Sequence, residues 1–337
     1  MGDARRAPTI AVDVNGADDP RAAAEGALST GVDVIVFGPA AKLDGLDVVD
    51  APVSIAKASD PARAARATPD ASIVQAARAV ADGRADALVA GGSTGTALAA
   101  GLFNIKRAKG IHRPALALPL PIPGAPVTLL DVGANEVCRP EHLVQFAYMG
   151  AALARSVLGV PAPRVGLLSN GTEPTKGREE VIEAHERLRD MEGFVGNVEG
   201  FAITEGVADV IVTDGFTGNV TLKVLEATSQ AMIDFVRRAA TSTTRAKLGG
   251  ALLRPALRGL RSEIDPEAQG GAYLLGLRRL AVVPHGSFSA EGWAEAVRRA
   301  ALGVQEELVA RTHTALEGAG ALRRVPASDA ATSFPAR

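Results

Sequence analysis

The sequence predicts an α/β protein with a mostly parallel sheet that is covered by helices on both faces. Short runs rich in Val, Ile and Leu alternate with helical patterns along the chain, and this alternation is typical of parallel sheets covered by helices. Of the 337 residues 47% are hydrophobic but only 4% aromatic. A core of small aliphatic side chains fits the close packing of such a sheet.

Seven strands and seven helices account for about half of the chain. The predicted strands are 9–14, 32–38, 85–91, 127–133, 164–170, 208–215 and 280–286. The predicted helices are 18–29, 70–82, 95–108, 140–158, 177–191, 218–239 and 289–311. We expect one domain over residues 8–315 and a disordered tail over 318–337, where Ala, Pro and Ser are frequent.

The composition excludes several classes of protein. A net charge of -2 gives no general attraction for nucleic acid. The single cysteine, Cys138, excludes an intrachain disulfide and fits a reducing compartment. No apolar stretch precedes the first strand, and no run is long and apolar enough to span a membrane, so we expect a cytoplasmic protein.

Polar and glycine residues follow six of the predicted strands. In a parallel sheet these strand ends lie along one edge, where α/β folds bind ligands, and the helices that follow offer N–H groups to an anion. For a single loop, a tight turn with a helix cap is the better interpretation. Six such loops predict an anion-binding edge. Its residues are Asp13, Gly16, Gly92, Ser93, Thr94, Gly95, Asp131, Asn135, Asn170, Asp214, Gly215, Gly218, Gly286 and Ser287.

The usual cofactor and nucleophile motifs are missing from the sequence. There is no G-x-G-x-x-G after the first strand, no G-x-x-x-x-G-K-[ST], no H-E-x-x-H and no G-x-S-x-G. We therefore expect no metal, no bound cofactor and no covalent intermediate. Cys138 is expected to pack at the entry to a helix.

Five stretches of the chain resemble the bacterial phosphate acyltransferase family of phospholipid synthesis. The most specific are "LLDVGAN" (129–135) and "DGFTGNVTLK" (214–223), and the resemblance runs from Ile10 to about Arg311. It implies transfer of a long-chain fatty acyl group from acyl carrier protein to inorganic phosphate. It also implies a homodimer with a Rossmann-like, three-layer α/β/α sandwich fold, related to isocitrate and isopropylmalate dehydrogenases and to phosphotransacetylase. Peripheral membrane association beside the downstream glycerol-3-phosphate acyltransferase is a further implication.

That reaction needs little from the protein beyond positioning and charge stabilisation. Phosphate is already a charged nucleophile, and a thioester is an activated acyl donor. Lys176 is the candidate for neutralising charge, Asn219 for donating to phosphate or the oxyanion, and His285 for protonating the thiolate. A solvated lysine, a capping amide and a capping histidine are the alternatives. His142 and His185 are expected at the surface.

A basic segment over 237–263 has no acid between Asp234 and Glu263. It predicts an amphipathic helical insertion, broken into two pieces by Gly249-Gly250 and Pro255. Contact with anionic lipid, contact with the acidic carrier protein, and a dimer-edge hairpin are all consistent with it. The predicted contact residues are Lys247, Leu248, Leu252, Arg254, Arg258, Leu260 and Arg261.

Three other functions stay open at this stage. A phosphotransacetylase-like enzyme would use coenzyme A in place of carrier protein. A dehydrogenase of the isocitrate type would need clustered aspartates for a metal, and the sequence shows no such cluster. A non-catalytic membrane-associated partner is the third, because loops such as Gly92-Ser93-Thr94-Gly95 depart from the family pattern, in which an asparagine stands at Ser93.

Overall fold

The computed structural model describes residues 6–124, 126–263 and 265–323, without the side chains of 256–258 and 260–263. Its strands are β1 (Thr9–Asp13), β2 (Asp33–Gly38), β3 (Val49–Asp50), β4 (Ala87–Ala90), β5 (Ala115–Leu120), β6 (Val127–Leu130), β7 (Val165–Leu168), β8 (Phe194–Val198), β9 (Val210–Val212), β10 (Ala272–Leu275) and β11 (Leu280–Val283). The helices are α1 (Pro20–Leu28), α2 (Pro61–Ala67), α3 (Ser72–Ala81), α4 (Thr94–Ala100), α5 (Pro140–Ser156), α6 (Glu179–Leu188), α7 (Ala202–Glu205), α8 (Gly215–Thr241), α9 (Thr244–Glu263), α10 (Ala290–Gln305) and α11 (Leu308–Gly318).

All of these strands form one sheet in the order β3-β2-β1-β4-β11-β10-β5-β6-β9-β7-β8. Most neighbours are parallel, but the pairs β11/β10, β10/β5 and β5/β6 are antiparallel. Because the direction reverses three times at the centre, β6, β7, β8 and β9 run opposite to β1, β2, β3 and β4. The predicted α/β class and mostly parallel sheet are confirmed, with this reversal as the difference.

Helices cover both faces of the sheet. One core cluster packs α1, α5, α6, α10 and α11 on one face, and a second packs α2, α3, α4 and α7 on the other. The buried strands are rich in Val, Leu, Ile and Ala, as expected when both faces are covered. Placement of this fold in the isocitrate/isopropylmalate dehydrogenase superfamily stays a prediction.

The two strands that reverse the sheet were not predicted. β5 contains Pro119 and is flanked by Pro114 and Pro121, and prolines argue against a central strand. β10 is only four residues long and follows two glycines with positive φ, Gly270 and Gly271. The prolines and the glycines each favour a loop. In the folded chain β5 and β10 nevertheless form strands, because they pair with each other and with β6 and β11.

Helix boundaries differ from the predictions at two places. The predicted helix 289–311 is two helices, α10 and α11, because Glu307 takes a left-handed conformation with φ 54°. The basic segment comprises the end of α8 and the whole of α9, and Pro255 lies inside α9 rather than at a break. α9 packs on α8, where Gly250 lies against Ala240.

The packed chain continues into the predicted tail. Leu322 lies against Gly110, whose added Cβ would be 3.0 Å from the Leu322 Cβ, and Arg323 N–H donates to the Gly110 carbonyl at 2.8 Å. Residues 324–337 of that prediction lie outside the described residues. Within the described part of the chain, no helix combines the length and the hydropathy needed to cross a membrane.

Candidate functional site

The residues predicted to share one edge of the sheet lie at two opposite edges. The first, which we call the Asp13 edge, follows β1, β4 and β11 and carries Asp13, Gly16, Gly92, Ser93, Thr94, Gly95, His285, Gly286 and Ser287. The second, the Asp131 edge, follows β6, β7 and β9 and carries Asp131, Asn135, Asn170, Lys176, Asp214, Gly215, Gly218 and Asn219. The single-edge prediction was wrong, because it assumed that all the strands run the same way.

Asp131 organises the loop that follows β6. Its side chain is fully buried and accepts hydrogen bonds from the backbone N–H groups of Leu116, Gly133, Ala134 and Asn135. The Asn135 amide Nδ2 also donates to it at 2.8 Å. Burial raises the pKa of the Asp131 carboxyl, although these hydrogen bonds oppose the rise. Asp131 therefore holds the loop and does not face a ligand.

Asn135 and Asn219 are also engaged within the protein. Asn135 Nδ2 donates a second hydrogen bond to the Pro114 carbonyl at 2.8 Å. Asn219 Nδ2 donates to the Val132 carbonyl at 3.2 Å. The amide donors predicted to hold phosphate thus tie the Asp131 loop to β5 and to α8.

The first turn of α8 packs directly on the Asp131 loop. An added Cβ at Gly215 would lie 2.7 Å from the Asn135 carbonyl oxygen, and one at Gly218 would overlap the Asp131 carbonyl. Gly215 N–H donates to Asn135 at 2.6 Å, and Asp214 caps the helix by accepting from Thr217 N–H at 2.8 Å. These N–H groups are therefore not free for an anion, in contrast to the prediction.

The loop of residues 169–178 supplies positive charge at the same edge. The Lys176 side chain is exposed and has no ion pair or hydrogen bond within the described chain. Asn197 fixes the loop by donating to the carbonyls of Glu173 at 2.9 Å and Lys176 at 3.3 Å. Arg178 pairs with the buried Asp214. The exposed Asn170 and Lys176 therefore project from a held loop.

One hydroxyl behind this loop has no partner. Ser169 Oγ is buried and makes no hydrogen bond. It lies 2.8 Å from where a Cβ at Gly177 would be, and Gly177 has a φ of +102°. A glycine is required there, and the hydroxyl remains available to a group bound in the loop.

A cavity of about 780 Å³ opens at the Asp131 edge beside the Asp131 loop. One part of its wall is apolar, with Leu98, Leu102, Phe103, Pro114 and Val137. The other part is cationic or polar, with Arg107, His112, Arg113, Asn135, Arg139, His142 and Arg323. Only Asn135 and Ala134 of this wall belong to the predicted loops.

Buried Gln145 of α5 positions the cavity wall. Its Oε1 accepts from His112 N–H at 2.8 Å, and its Nε2 donates to the carbonyls of Gly110 at 3.0 Å and Ala321 at 2.8 Å. One side chain thus joins the loop before β5 to the segment that ends in Arg323. Sequence patterns gave no signal for the cavity arginines, because Arg107 and Arg113, Arg139 and Arg323 lie in three segments that are far apart in the sequence.

Burial favours the neutral form of two histidines in this wall. His142 is buried, not at the surface as predicted, and its Nδ1 accepts from Arg139 N–H at 3.2 Å. Burial lowers the pKa of His112 and His142 more than nearby Glu141 raises it. His185, also predicted at the surface, is half-buried, lies 3.0 Å from Asn197 Oδ1 and packs edge-on against Phe194.

His112, Glu141 and His142 are the one group of metal-binding side chains in the described residues whose donor atoms lie within 4.8 Å of one another. Four arginines line the same cavity. Like-charge repulsion from these guanidinium groups opposes a divalent cation there. The expectation that the protein needs no metal or cofactor stays a prediction.

The Asp13 edge is built from close backbone contacts. An added Cβ at Gly92 would lie 2.7 Å from the Gly16 carbonyl, and one at Gly286 would lie 3.6 Å from Asp18 Oδ1. Ser93 makes no capping hydrogen bond, which leaves the first turn of α4 uncapped. The exposed Asp18 places a negative charge at this edge, which disfavours an anion close to it.

His285 belongs to this Asp13 edge. Its Nδ1 lies 2.7 Å from Ser287 Oγ and accepts from Ser287 N–H at 3.3 Å. His285 lies at the Asp13 edge and Lys176 at the opposite Asp131 edge. The two side chains therefore cannot act on one substrate within one chain. The prediction that they share a site is therefore corrected.

Cys138 packs at the entry to α5, as predicted. Its thiol is buried, and burial raises its pKa to about 12, with Asp131 and Asp214 adding to the rise. A thiol with this pKa is almost entirely protonated at neutral pH and is a poor nucleophile.

Comparison with known proteins gives consistent results. The family model described as "Fatty acid synthesis protein" matches residues 22–311. A Phosphate acyltransferase of Geobacillus sp. (strain WCH70) is 41% identical over 91% of this chain and 98% of its own length. One of Moorella thermoacetica is 41% identical over 89% of this chain and 93% of its own.

A solved structure shows the same kind of fold. The phosphotransacetylase from Streptococcus pyogenes superimposes with a TM-score of 0.59 and covers 88% of this chain and 94% of that one, at 17% sequence identity. At this identity the likeness concerns the fold.

Proposed function

The chain belongs to the fatty acid synthesis protein family, and we propose that it transfers a long-chain fatty acyl group from acyl carrier protein to inorganic phosphate. A phosphate oxygen bonds to the thioester carbonyl carbon, and the carbon–sulfur bond breaks. The products are acyl phosphate, a precursor for phospholipid synthesis, and a thiolate that takes a proton from water. The names of the relatives support this reaction.

The observation that carries the proposal is an uncompensated lysine on a fixed loop at the Asp131 edge. Lys176 has no ion pair among the described residues, whereas Arg178 is held by Asp214 and Glu180. A phosphate dianion placed between Lys176 and Asn170 meets positive charge and a neutral donor. As the thioester carbonyl becomes an oxyanion, the Lys176 ammonium stabilises the added charge.

The test measures thiol release and acyl phosphate, trapped as hydroxamate, from long-chain acyl carrier protein and phosphate. We expect Lys176→Ala to lower kcat/KM for phosphate by about 100-fold, because the ammonium interacts most strongly with the transition state. Lys42→Ala is the matched control, since Lys42 is also exposed and unpaired in the described chain but follows β2. Equal rates for the two variants would remove Lys176 from the site.

The same assay separates the remaining candidates. Acyl-coenzyme A offered in place of the carrier protein distinguishes the phosphotransacetylase-like reaction, which the fold likeness favours as the second candidate. No product from either donor, with a folded protein by circular dichroism, would leave a non-catalytic, membrane-associated partner as the remaining function.

We also propose that the chain forms a homodimer through α8. Phe216, Val220 and Val224 recur every four residues on this helix and are exposed. Burial of an exposed apolar stripe of this kind against a second protein surface is favourable. Replacing Val220 and Val224 by Ser should shift the mass measured by light scattering toward the monomer, and an unchanged dimer would exclude this stripe.

Helix α9 is proposed to contact an anionic surface, either lipid or carrier protein. Leu248 and Leu252 are exposed on it, together with Lys247 and Arg254. The side chains of Arg258, Leu260 and Arg261 lie outside the described set. Neutralising Arg254, Arg258 and Arg261 should weaken co-sedimentation with anionic vesicles, whereas unchanged co-sedimentation would exclude a lipid contact. An association with the downstream acyltransferase would follow from a shared membrane location.

A further inference from the structure

The cavity at the Asp131 edge carries an excess of positive charge. Arg107, Arg113, Arg139 and Arg323 line it, and the nearest acid in an ion pair is Glu141, 4.0 Å from Arg139. Arg107 donates to the His112 carbonyl. Arg113 and Arg323 have no side-chain partner within the described residues. Guanidinium groups left without acids are suited to binding phosphate groups.

The opposite wall of the cavity is apolar. Leu98, Leu102 and Phe103 come from α4 and the turn after it, and Arg66 covers the Phe103 ring at 4.2 Å from its centroid. Val137 is 83% exposed at the wall. An exposed valine beside arginines indicates a ligand with both a charged and an uncharged part.

The cavity adjoins the loops of the proposed reaction. Ala134 and Asn135 belong to its wall and to the loop on which the first turn of α8 packs. Asp214, which caps that turn, also pairs with Arg178. The Asn135–Gly215 contact and the Asp214–Arg178 ion pair thus connect the cavity wall, through the first turn of α8, to the loop of residues 169–178, where we place the attacking phosphate.

We propose that this cavity binds the phosphate-bearing pantetheine arm through which the acyl donor carries its thioester. The inference rests on the proposed function. Arg113 and Arg323 contact the phosphate of the arm, and its chain lies along Leu102, Phe103 and Val137. Free inorganic phosphate is a poor match, because it would leave a volume of about 780 Å³ and its apolar wall unfilled.

The test compares the binding of two small ligands that differ only in the phosphate. 4′-Phosphopantetheine should bind the unmodified protein about 10-fold more tightly than pantetheine in calorimetry. In the double variant Arg113→Gln/Arg323→Gln the two ligands should bind alike. Both residues are exposed and unpaired in the described chain, so this variant keeps its fold.

A matched control tests whether any loss of arginine has this effect. Arg84 is exposed, does not line the cavity and has no side-chain partner in the described chain, so Arg84→Gln should keep the 10-fold preference. The same preference in the double variant would overturn the proposal. So would tight binding of zinc that is lost in His112→Ala, because it would assign the cavity to a cation.

Turnover separates this inference from the proposed function. With either carrier protein or coenzyme A as the source of the arm, the double variant should raise the KM for donor about 10-fold and leave kcat and the KM for phosphate unchanged. An effect with carrier protein alone would indicate contact with its acidic surface and would overturn the proposal. If no donor turns over but the binding preference exists, the proposed reaction fails and the phosphate-binding cavity stands.

Discussion

Asp13 is buried beneath the loop that follows β1, and burial raises the pKa of its carboxyl to about 6. Hydrogen bonds from Ser72 and from Asn15 N–H oppose this rise but do not cancel it. Like Asp131 and Asp214, this carboxylate is used inside the protein. In a sequence, a ligand-binding carboxylate and a loop-organising one look the same, because each follows a strand and precedes a glycine.

The raised pKa predicts how stability depends on pH. The folded state binds the Asp13 proton more tightly than the unfolded state, whose carboxyl has an ordinary pKa near 3.8. This contribution to stability is therefore present below about pH 4 and is lost as pH rises to about 6, with a size of about 3 kcal/mol. Asp13→Asn should lack that loss in urea unfolding measured from pH 4 to pH 7. An identical pH profile in the variant would show that Asp13 is ionised in the folded protein.

At the scale of elements, the loops at the Asp131 edge pack closely because glycines allow backbone contacts, and polar side chains add hydrogen bonds between them. Gly215 and Gly218 let α8 approach the Asp131 loop closely, and Gly177 lets the loop of residues 169–178 approach Ser169. The sequence predicts Gly215 and Gly218 as ligand-binding residues and gives Gly177 no role. Their structural role becomes visible only when the facing loop is known, and that loop lies far away in the sequence.

A pair of Gly→Ala substitutions separates packing from helix propensity. Gly218→Ala should destabilise the protein by about 3 kcal/mol, because its Cβ would overlap the Asp131 carbonyl and force α8 away. Gly249→Ala in α9 should instead stabilise slightly, by about 0.5–1 kcal/mol, because nothing lies within 4 Å of its added Cβ. Urea unfolding measures both. Equal effects of the same sign would contradict the close approach of α8.

At the scale of the whole molecule, the sequence predicts the α/β class and the polar strand ends but not the direction of half of the sheet. Periodicity identifies β1, β2, β4, β6, β7, β9 and β11, and each is present. β5 and β10 are hidden by prolines and glycines, and only they reverse the sheet. The two edges, and the cavity before β5, follow from that reversal and could not be derived without it.

The hairpin of β10 and β11 joins the two halves of the sheet, since β11 pairs with β4 and β10 pairs with β5. A chain that ends at residue 270 should therefore aggregate, because β4 and β5 would each present an unpaired edge. A chain that ends at residue 323 should stay monodisperse in size-exclusion chromatography. Equal solubility of the two chains would show that each half of the sheet is complete without the hairpin.

Because β11 is made long after β4, the β4 edge stays unpaired for some time during synthesis on the ribosome. β11 begins about 190 residues after β4 ends, so at about 5–20 residues per second the nascent β4 waits on the order of 10–40 seconds for its neighbour. Throughout this interval the backbone N–H and C=O groups on one edge of β4 have no neighbouring strand to pair with. Chaperone binding to the nascent N-terminal half should matter more for this protein than for one whose neighbouring strands are made in succession.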